Sequence, residues 1–104
     1  MEEQKLEKDP NRNKYLLKLF ITGQTIRSGR AIANLRQIIE KELGTEYELI
    51  IIDVLEQPQV AENEKILATP TLIKEFPPPV RRIIGDLSDT KRVLVGLELL
   101  HKDS

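Results

Sequence analysis

The segment Ala68-Thr-Pro-Thr-Leu72 decides the fold of this 104-residue chain. It places a threonine–proline pair directly before a predicted strand that runs to about Phe76. The triple proline Pro77–Pro79 then breaks the chain, because proline has no backbone N–H for a sheet ladder. Val80–Ile84, which is closed by Gly85, is predicted as the next strand.

Upstream of this segment, the hydrophobic pattern predicts a strand, a helix and a second strand. Tyr15–Thr22 is apolar nearly throughout, which is typical of a strand covered on both faces. The helix that follows has Thr25 or Ser28 as its N-cap and ends at Gly44, with its apolar residues at helical spacing. Glu48–Val54 is the second buried strand. A unit of this length predicts two parallel strands joined by a right-handed crossover.

Two further helices complete the pattern. A short helix is predicted over about Pro58–Leu67, since proline suits a first helical turn. The second covers Ser88–Leu100, with Ser88 or Asp89 as its cap. The resulting order, βαβαββα, is the thioredoxin arrangement. Thioredoxin-like domains carry a cis-proline where Thr69–Pro70 lies, and Gly85–Ser88 resembles their last strand-to-helix turn. The expected fold class is therefore α/β, a thioredoxin-like single domain.

Composition fixes the domain limits and the broad class. Residues 1–14 carry charges of both signs and little apolar surface, so they are predicted to be a flexible N-terminal tail before a domain at 15–104. The formal net charge of -1 argues against nucleic-acid binding, which usually requires a basic domain. The apolar runs are too short to span a membrane, and the amino terminus has no signal-peptide core. A cytoplasmic location is expected.

The chain contains no cysteine and one histidine, His101. Gly23–Arg30, where a thioredoxin carries its redox dithiol, has no sulfur, and disulfide exchange needs a thiolate. Ser28 is interpreted as a helix cap, because no base for a serine nucleophile is at hand. Asp53 and Glu56 are interpreted as turn or capping residues in preference to an acid or cation site. We expect no catalytic site, metal or cofactor.

Four stretches of the chain resemble the KaiB family. They are Lys65-Ile-Leu-Ala-Thr-Pro-Thr-Leu72, Pro77-Pro-Pro-Val-Arg-Arg-Ile-Ile-Gly-Asp-Leu-Ser88, Tyr15-Leu-Leu-Lys-Leu-Phe-Ile21, and Ile52-Asp-Val-Leu55 followed by Pro58-Gln59. The similarity runs from about Tyr15 to Leu100. A triple proline followed by paired arginines and Gly-Asp-Leu-Ser is specific to that family and is not a general feature of the fold.

The resemblance implies a non-enzymatic protein-binding module. Such proteins bind the KaiC ring ATPase and modulate its phosphorylation and ATPase cycle. In cyanobacteria they help to recruit KaiA and oppose the kinase SasA. The family also switches fold between a thioredoxin-like monomer, which binds the ring, and a tetramer whose C-terminal half differs. A homo-oligomer, tetramer or dimer, is thus the implied alternative state.

The resemblance also implies roles for particular residues. Val93–Leu100 fits both a helical and a strand period, and glycine within it weakens a helix. Gln24–Gly29 departs from the Asn-Thr-Pro-Asn-Ser-Val of many clock members, which indicates a divergent branch in which the thioredoxin-like form is favoured. The residues expected to control the fold switch are Pro70, Pro77, Pro78, Pro79, Gly96 and Glu98. The residues expected to bind the partner are Lys18, Arg30, Lys65, Lys74, Arg81 and Arg82.

Two alternative functions are less well supported. One is a thioredoxin-like domain with a redox or glutathione-related role, which the absence of cysteine disfavours. The other is a sensor domain resembling the amino-terminal part of SasA, which would normally be followed by a kinase. The chain ends directly after the domain, so the partner-binding module is the preferred interpretation.

Overall fold

A computed structural model describes residues 14–99. Most of the predicted tail, together with His101, lies outside the described residues. The elements follow the predicted order: β1 Tyr15–Ile21, α1 Ile26–Leu43, β2 Tyr47–Asp53, α2 Pro58–Asn63, β3 Thr71–Phe76, β4 Arg81–Ile84 and α3 Thr90–Gly96. No helix within this range is long and apolar enough to cross a membrane.

The four strands form one mixed sheet in the order β2-β1-β3-β4. β1 and β2 are parallel, in a register that pairs Tyr15 with Tyr47 and Ile21 with Asp53. β3 is antiparallel to both β1 and β4. The parallel pair with α1 between its strands confirms the predicted strand–helix–strand unit.

The sheet has an apolar core on each face, because alternate side chains of a strand point to opposite sides. α1 and α3 cover the larger core, and α2 covers the smaller one, which contains Phe20, Ile52 and Ile73. The larger core is built from Leu17, Leu19, Ile21, Ala31, Leu35, Ile38, Ile39, Leu72, Ile83, Leu87, Val93 and Leu97.

The first helix is capped by Thr25, one of the two predicted candidates. Ser28 lies inside the helix, so its interpretation as the helix cap was wrong. The Thr25 hydroxyl accepts a hydrogen bond of 3.1 Å from the backbone N–H of Ser28. Ser28 itself is buried, and its hydroxyl lies 3.5 Å from the carbonyl oxygen of Thr22. The helix ends at Gly44, whose φ of +62° is a conformation that glycine adopts readily.

The last helix begins as predicted and ends early. Asp89 caps it by accepting a hydrogen bond of 3.2 Å from the backbone N–H of Arg92. The helix stops at Gly96, and Glu98 adopts a φ of +63°, so the prediction of a helix to Leu100 was wrong. Gly96 lies against β4, where an added Cβ would come within 2.7 Å of Ile83 Cγ1.

The thioredoxin-like proline is present in its expected form. The Thr69–Pro70 peptide bond is cis, as are Phe76–Pro77 and Pro78–Pro79. The carbonyl oxygen of Pro70 accepts a hydrogen bond of 3.0 Å from the backbone N–H of Gly85, which fixes the start of β3 to the end of β4.

Candidate partner-binding site

Three loops meet at one end of the sheet. They are residues 22–25 after β1, residues 54–57 after β2, and residues 64–70 before β3. β3 runs antiparallel to β1, so its beginning lies beside the carboxyl end of β1. A pocket of about 290 Å³ opens between these loops.

Each of the three loops contains, or is directly followed by, an exposed aliphatic side chain. Leu67 is 95% exposed, Ile26 is 79% exposed and Leu55 is 67% exposed. Together these three residues are called the apolar edge. Burying apolar surface is favourable, and groups of exposed apolar side chains mark sites of interaction.

The loop that carries Leu67 replaces the predicted end of α2. The helix stops at Asn63, and Lys65 adopts a φ of +57°, so the prediction of a helix to Leu67 was wrong. The turn sends Ile66 against the smaller core and leaves Leu67 in solvent. The sequence alone placed Leu67 in a helix and did not identify it as a site residue.

Arg82 on β4 holds this loop from the side. Its guanidinium donates one hydrogen bond to the carbonyl oxygen of Glu64 and another, of 3.2 Å, to that of Lys65. These bonds satisfy two backbone acceptors just after a helix end, where carbonyl groups lack helical partners. The exposed position of Leu67 is therefore supported by β4.

Lys18 on β1 binds the same loop through Glu64. Its ammonium lies 3.2 Å from Glu64 Oε2 and 3.5 Å from Glu75 Oε2. Burial lowers the pKa of Lys18, but the hydrogen bond to Glu64 and the charge of Glu75 outweigh it, and the net effect is a raised pKa. Lys18 thus remains an ammonium that is engaged within the protein.

Side chains at the loop ends tie the three loops to one another. Asp53 Oδ1 accepts hydrogen bonds from the backbone N–H groups of Gly23, at 3.0 Å, and Leu55, at 2.9 Å. The hydroxyls of Thr22 and Thr69 lie 2.6 Å apart. Asp53 is a turn residue, as predicted.

The structure separates the six predicted partner-binding residues into three places. Lys65 lies in the loop that carries Leu67, and Lys18 and Arg82 bind to that loop. Arg30 is exposed on α1. Lys74 and Arg81 lie on the opposite face of the sheet, beside Glu98.

Lys74 differs from the other five in its burial. Its side chain is 1% exposed, and its ammonium donates hydrogen bonds to the carbonyl oxygens of Pro77 and Pro79. In this conformation the ammonium is occupied by acceptors within the chain. Contact between Lys74 and a partner stays a prediction.

Comparisons with known proteins find relatives that match most of this chain. The sequence profile of the KaiB domain matches residues 18–99. The chain is 57% identical over 88 residues to the circadian clock protein KaiB3 of Synechocystis sp., covering 85% of this chain and 86% of that protein. It is 60% identical over 92 residues to the circadian clock oscillator protein KaiB of Synechococcus sp., covering 88% and 84%.

Among solved structures, the chain resembles the N-terminal domain of Synechococcus elongatus SasA. The TM-score is 0.69 at 26% identity, over 86% of this chain and 88% of that one. Mitochondrial thioredoxin 3 of Saccharomyces cerevisiae gives a TM-score of 0.68 at 18% identity, over 94% and 90% of the two chains. At that identity, the likeness to thioredoxin shows the fold alone.

Proposed function

This chain belongs to the KaiB family of circadian clock proteins, and from that premise we propose that it binds a KaiC-like ring ATPase as a non-enzymatic module and modulates the phosphorylation and ATPase cycle of that ring. The observation that carries the proposal is the apolar edge, at which Leu67 is 95% exposed on a loop held by Arg82. In the free protein an exposed leucine contributes no burial energy to stability. A partner surface that covers Leu67 would gain that burial energy on binding.

The energetic argument rests on burial and preorganisation. Fully burying one leucine side chain contributes about 1.5–3 kcal/mol. Binding also costs the ordering of whatever is mobile in the free protein. Here the loop is already fixed by Arg82 and by the Thr22–Thr69 hydroxyl pair, so less ordering remains to be done. A few residues in well-packed positions near the centre of an interface typically carry most of its binding energy.

The basic residues around the loop supply the second part of the surface. Lys65 and Arg82 are exposed beside Leu67. Charges at the rim of an interface steer encounter and select partners of opposite sign. We expect the ring to present an apolar pocket flanked by carboxylates, with Arg30 and Arg81 as further contacts.

The remaining partners follow from the family. The likeness to the SasA N-terminal domain supports competition between this protein and a SasA-like kinase for one surface of the ring. Recruitment of KaiA, a cytoplasmic location, and the absence of nucleic-acid or membrane partners belong to the same proposal. The thioredoxin-like form is the one that binds the ring. The tetramer or dimer is the alternative state, and Pro70, Pro77, Pro78, Pro79, Gly96 and Glu98 control the change between them.

The proposal is tested by titrating the host's KaiC-type ATPase with two variants of this protein, Leu67→Ser and Ile84→Ser. Leu67→Ser weakens binding by about tenfold or more, the loss expected when a central apolar contact is removed. Ile84→Ser is the matched control, because Ile84 is 49% exposed but lies on β4, outside the apolar edge. Equal affinities for the two variants contradict the proposed surface.

A further inference from the structure

The most unusual side chain in the domain is a buried lysine. Lys74 lies on the face of β3 that packs against the larger core, in register with Leu17 of β1 and Arg81 of β4. Only 1% of its side chain is exposed. Burying an ammonium is costly unless hydrogen-bond acceptors and an opposite charge replace its water.

The triple proline supplies the acceptors. Pro77, Pro78 and Pro79 have no backbone N–H, so this turn cannot satisfy its carbonyl groups with donors of its own. The Lys74 ammonium donates to the carbonyl oxygen of Pro77 and, at 2.8 Å, to that of Pro79. The lysine thereby serves as the hydrogen-bond donor that the turn lacks.

Glu98 supplies the opposite charge, from a distant part of the chain. Its Oε1 lies 3.7 Å from Lys74 Nζ. Its Oε2 accepts hydrogen bonds from Arg81 Nη2, at 3.1 Å, and Arg81 Nε, at 3.3 Å. Lys74 and Arg81 are paired across the strands, and like charges directly opposite one another are destabilising. One carboxylate therefore compensates two facing cations.

Glu98 belongs to the turn after α3, which other contacts hold in place. Leu97 is fully buried, and its carbonyl oxygen accepts a hydrogen bond of 3.3 Å from the Tyr15 hydroxyl. Gly96 lies directly against Ile83. The turn over residues 97–99 thus rests on β1 and β4 while its carboxylate reaches the Lys74–Arg81 pair.

We infer that Lys74, Arg81 and Glu98 form one electrostatic latch that couples the proline turn to the turn after α3. When Glu98 leaves, two cations face each other without a counter-charge, and the β3–β4 hairpin loosens. When Lys74 no longer donates to the prolyl carbonyls, Glu98 loses its buried partner, and the turn after α3 loosens. The two segments open as one unit, whether or not the ring ATPase is the partner.

Hydrogen exchange on the full chain tests the coupling. Lys74→Met and Glu98→Gln each raise exchange about tenfold in two places, residues 71–84 and residues 90–99, in line with the cost of an unpaired buried polar group. Lys41→Met, at an exposed position on α1, is the control and leaves both segments at the rate of the unmodified protein. Faster exchange in only one of the two segments overturns the latch.

A second test measures the effect of Arg81→Gln on hydrogen exchange in two backgrounds, where it should have opposite signs. In the unmodified protein, Arg81→Gln removes a partner of Glu98 and raises exchange. In the Glu98→Gln background the same substitution removes a like charge from beside Lys74, so exchange falls back several-fold. If Arg81→Gln raises exchange in both backgrounds, Glu98 acts by packing and the latch is wrong. Both residues are partly exposed, so this test remains decisive if Lys74→Met does not fold.

Discussion

The guanidinium of Arg82 donates a hydrogen bond of 3.2 Å to the backbone carbonyl oxygen of Lys65, 17 residues earlier in the chain. A second bond reaches the carbonyl oxygen of Glu64. Through these bonds an edge strand sets the position of the loop that carries Leu67. A side chain that the sequence marks as a partner contact also supports the surface that we propose for the partner.

Arg82→Lys separates charge from hydrogen-bond geometry. Lysine keeps the positive charge but lacks the planar fork that reaches two carbonyl groups at once. We expect binding to the ring ATPase to weaken by about tenfold, roughly the loss of one charged hydrogen bond, with an unchanged circular dichroism spectrum. Arg36→Lys, at an exposed position on α1, is the control. Identical affinities for the two variants would show that the loop does not depend on Arg82.

Asp53→Ala removes the acceptor shared by two loops. The backbone N–H groups of Gly23 and Leu55 both lose their partner, so we expect the free energy of unfolding to fall by about 1–3 kcal/mol. Asp53→Asn keeps an amide oxygen, so its free energy of unfolding should lie between those of the unmodified protein and Asp53→Ala. Urea denaturation measures the change. Glu56→Ala, at an exposed position, serves as the control, and a loss as large as that of Asp53→Ala would contradict the assignment.

Burial distinguishes two leucines that look alike in sequence. Leu35 is fully buried in the larger core, so Leu35→Ala should lower the free energy of unfolding by about 2–5 kcal/mol. Leu55 is 67% exposed, so Leu55→Ala should leave stability nearly unchanged while weakening binding to the ring. Thermal denaturation and titration measure the two effects. Strong destabilisation by Leu55→Ala would contradict the apolar edge.

Tyr15 should titrate above its ordinary value of 10. Burial raises the pKa of Tyr15, and the nearby Glu98 carboxylate adds to the effect. Because the folded pKa exceeds the unfolded one, the stability that the protonated phenol contributes is complete below about pH 10 and is lost as the pH rises through the folded pKa.

A variant with one tyrosine makes this measurable. In Tyr47→Phe, Tyr15 is the sole phenol, and its ionisation can be followed by ultraviolet absorbance. Adding Glu98→Gln should move the Tyr15 midpoint downward, because one of the two causes is removed. A midpoint at or below 10 in Tyr47→Phe, before unfolding, would rule out the described packing of Tyr15.

The order of elements could be predicted because each one carries a local signal. Tyr15–Ile21 is apolar on both faces, α1 has its period and caps, and the prolines delimit β3. The two helix ends that were wrong have a common cause. Lys65 and Glu98 both adopt positive φ values, and both lie where tertiary bonds hold the turn. Those bonds depend on partners that are 17 residues away, which a local pattern does not contain.

The site could be predicted only in part. Charge and motif selected Lys18, Lys65 and Arg82, which the fold brings together. The same criterion selected Lys74, whose burial follows from strand register, since its pairing with Leu17 turns it toward the core. The exposure of Leu67 follows from a loop that the sequence assigned to a helix.

Light scattering after size exclusion tests the central claim most directly. The protein and its Leu67→Ser variant are each run alone and then with the host's KaiC-type ATPase and nucleotide. The account predicts that the unmodified protein elutes with the ring and that Leu67→Ser elutes apart from it, at the same mass as the unmodified protein alone. If the unmodified protein never joins the ring, or if both proteins join it equally, binding of a KaiC-like ring through the apolar edge is wrong.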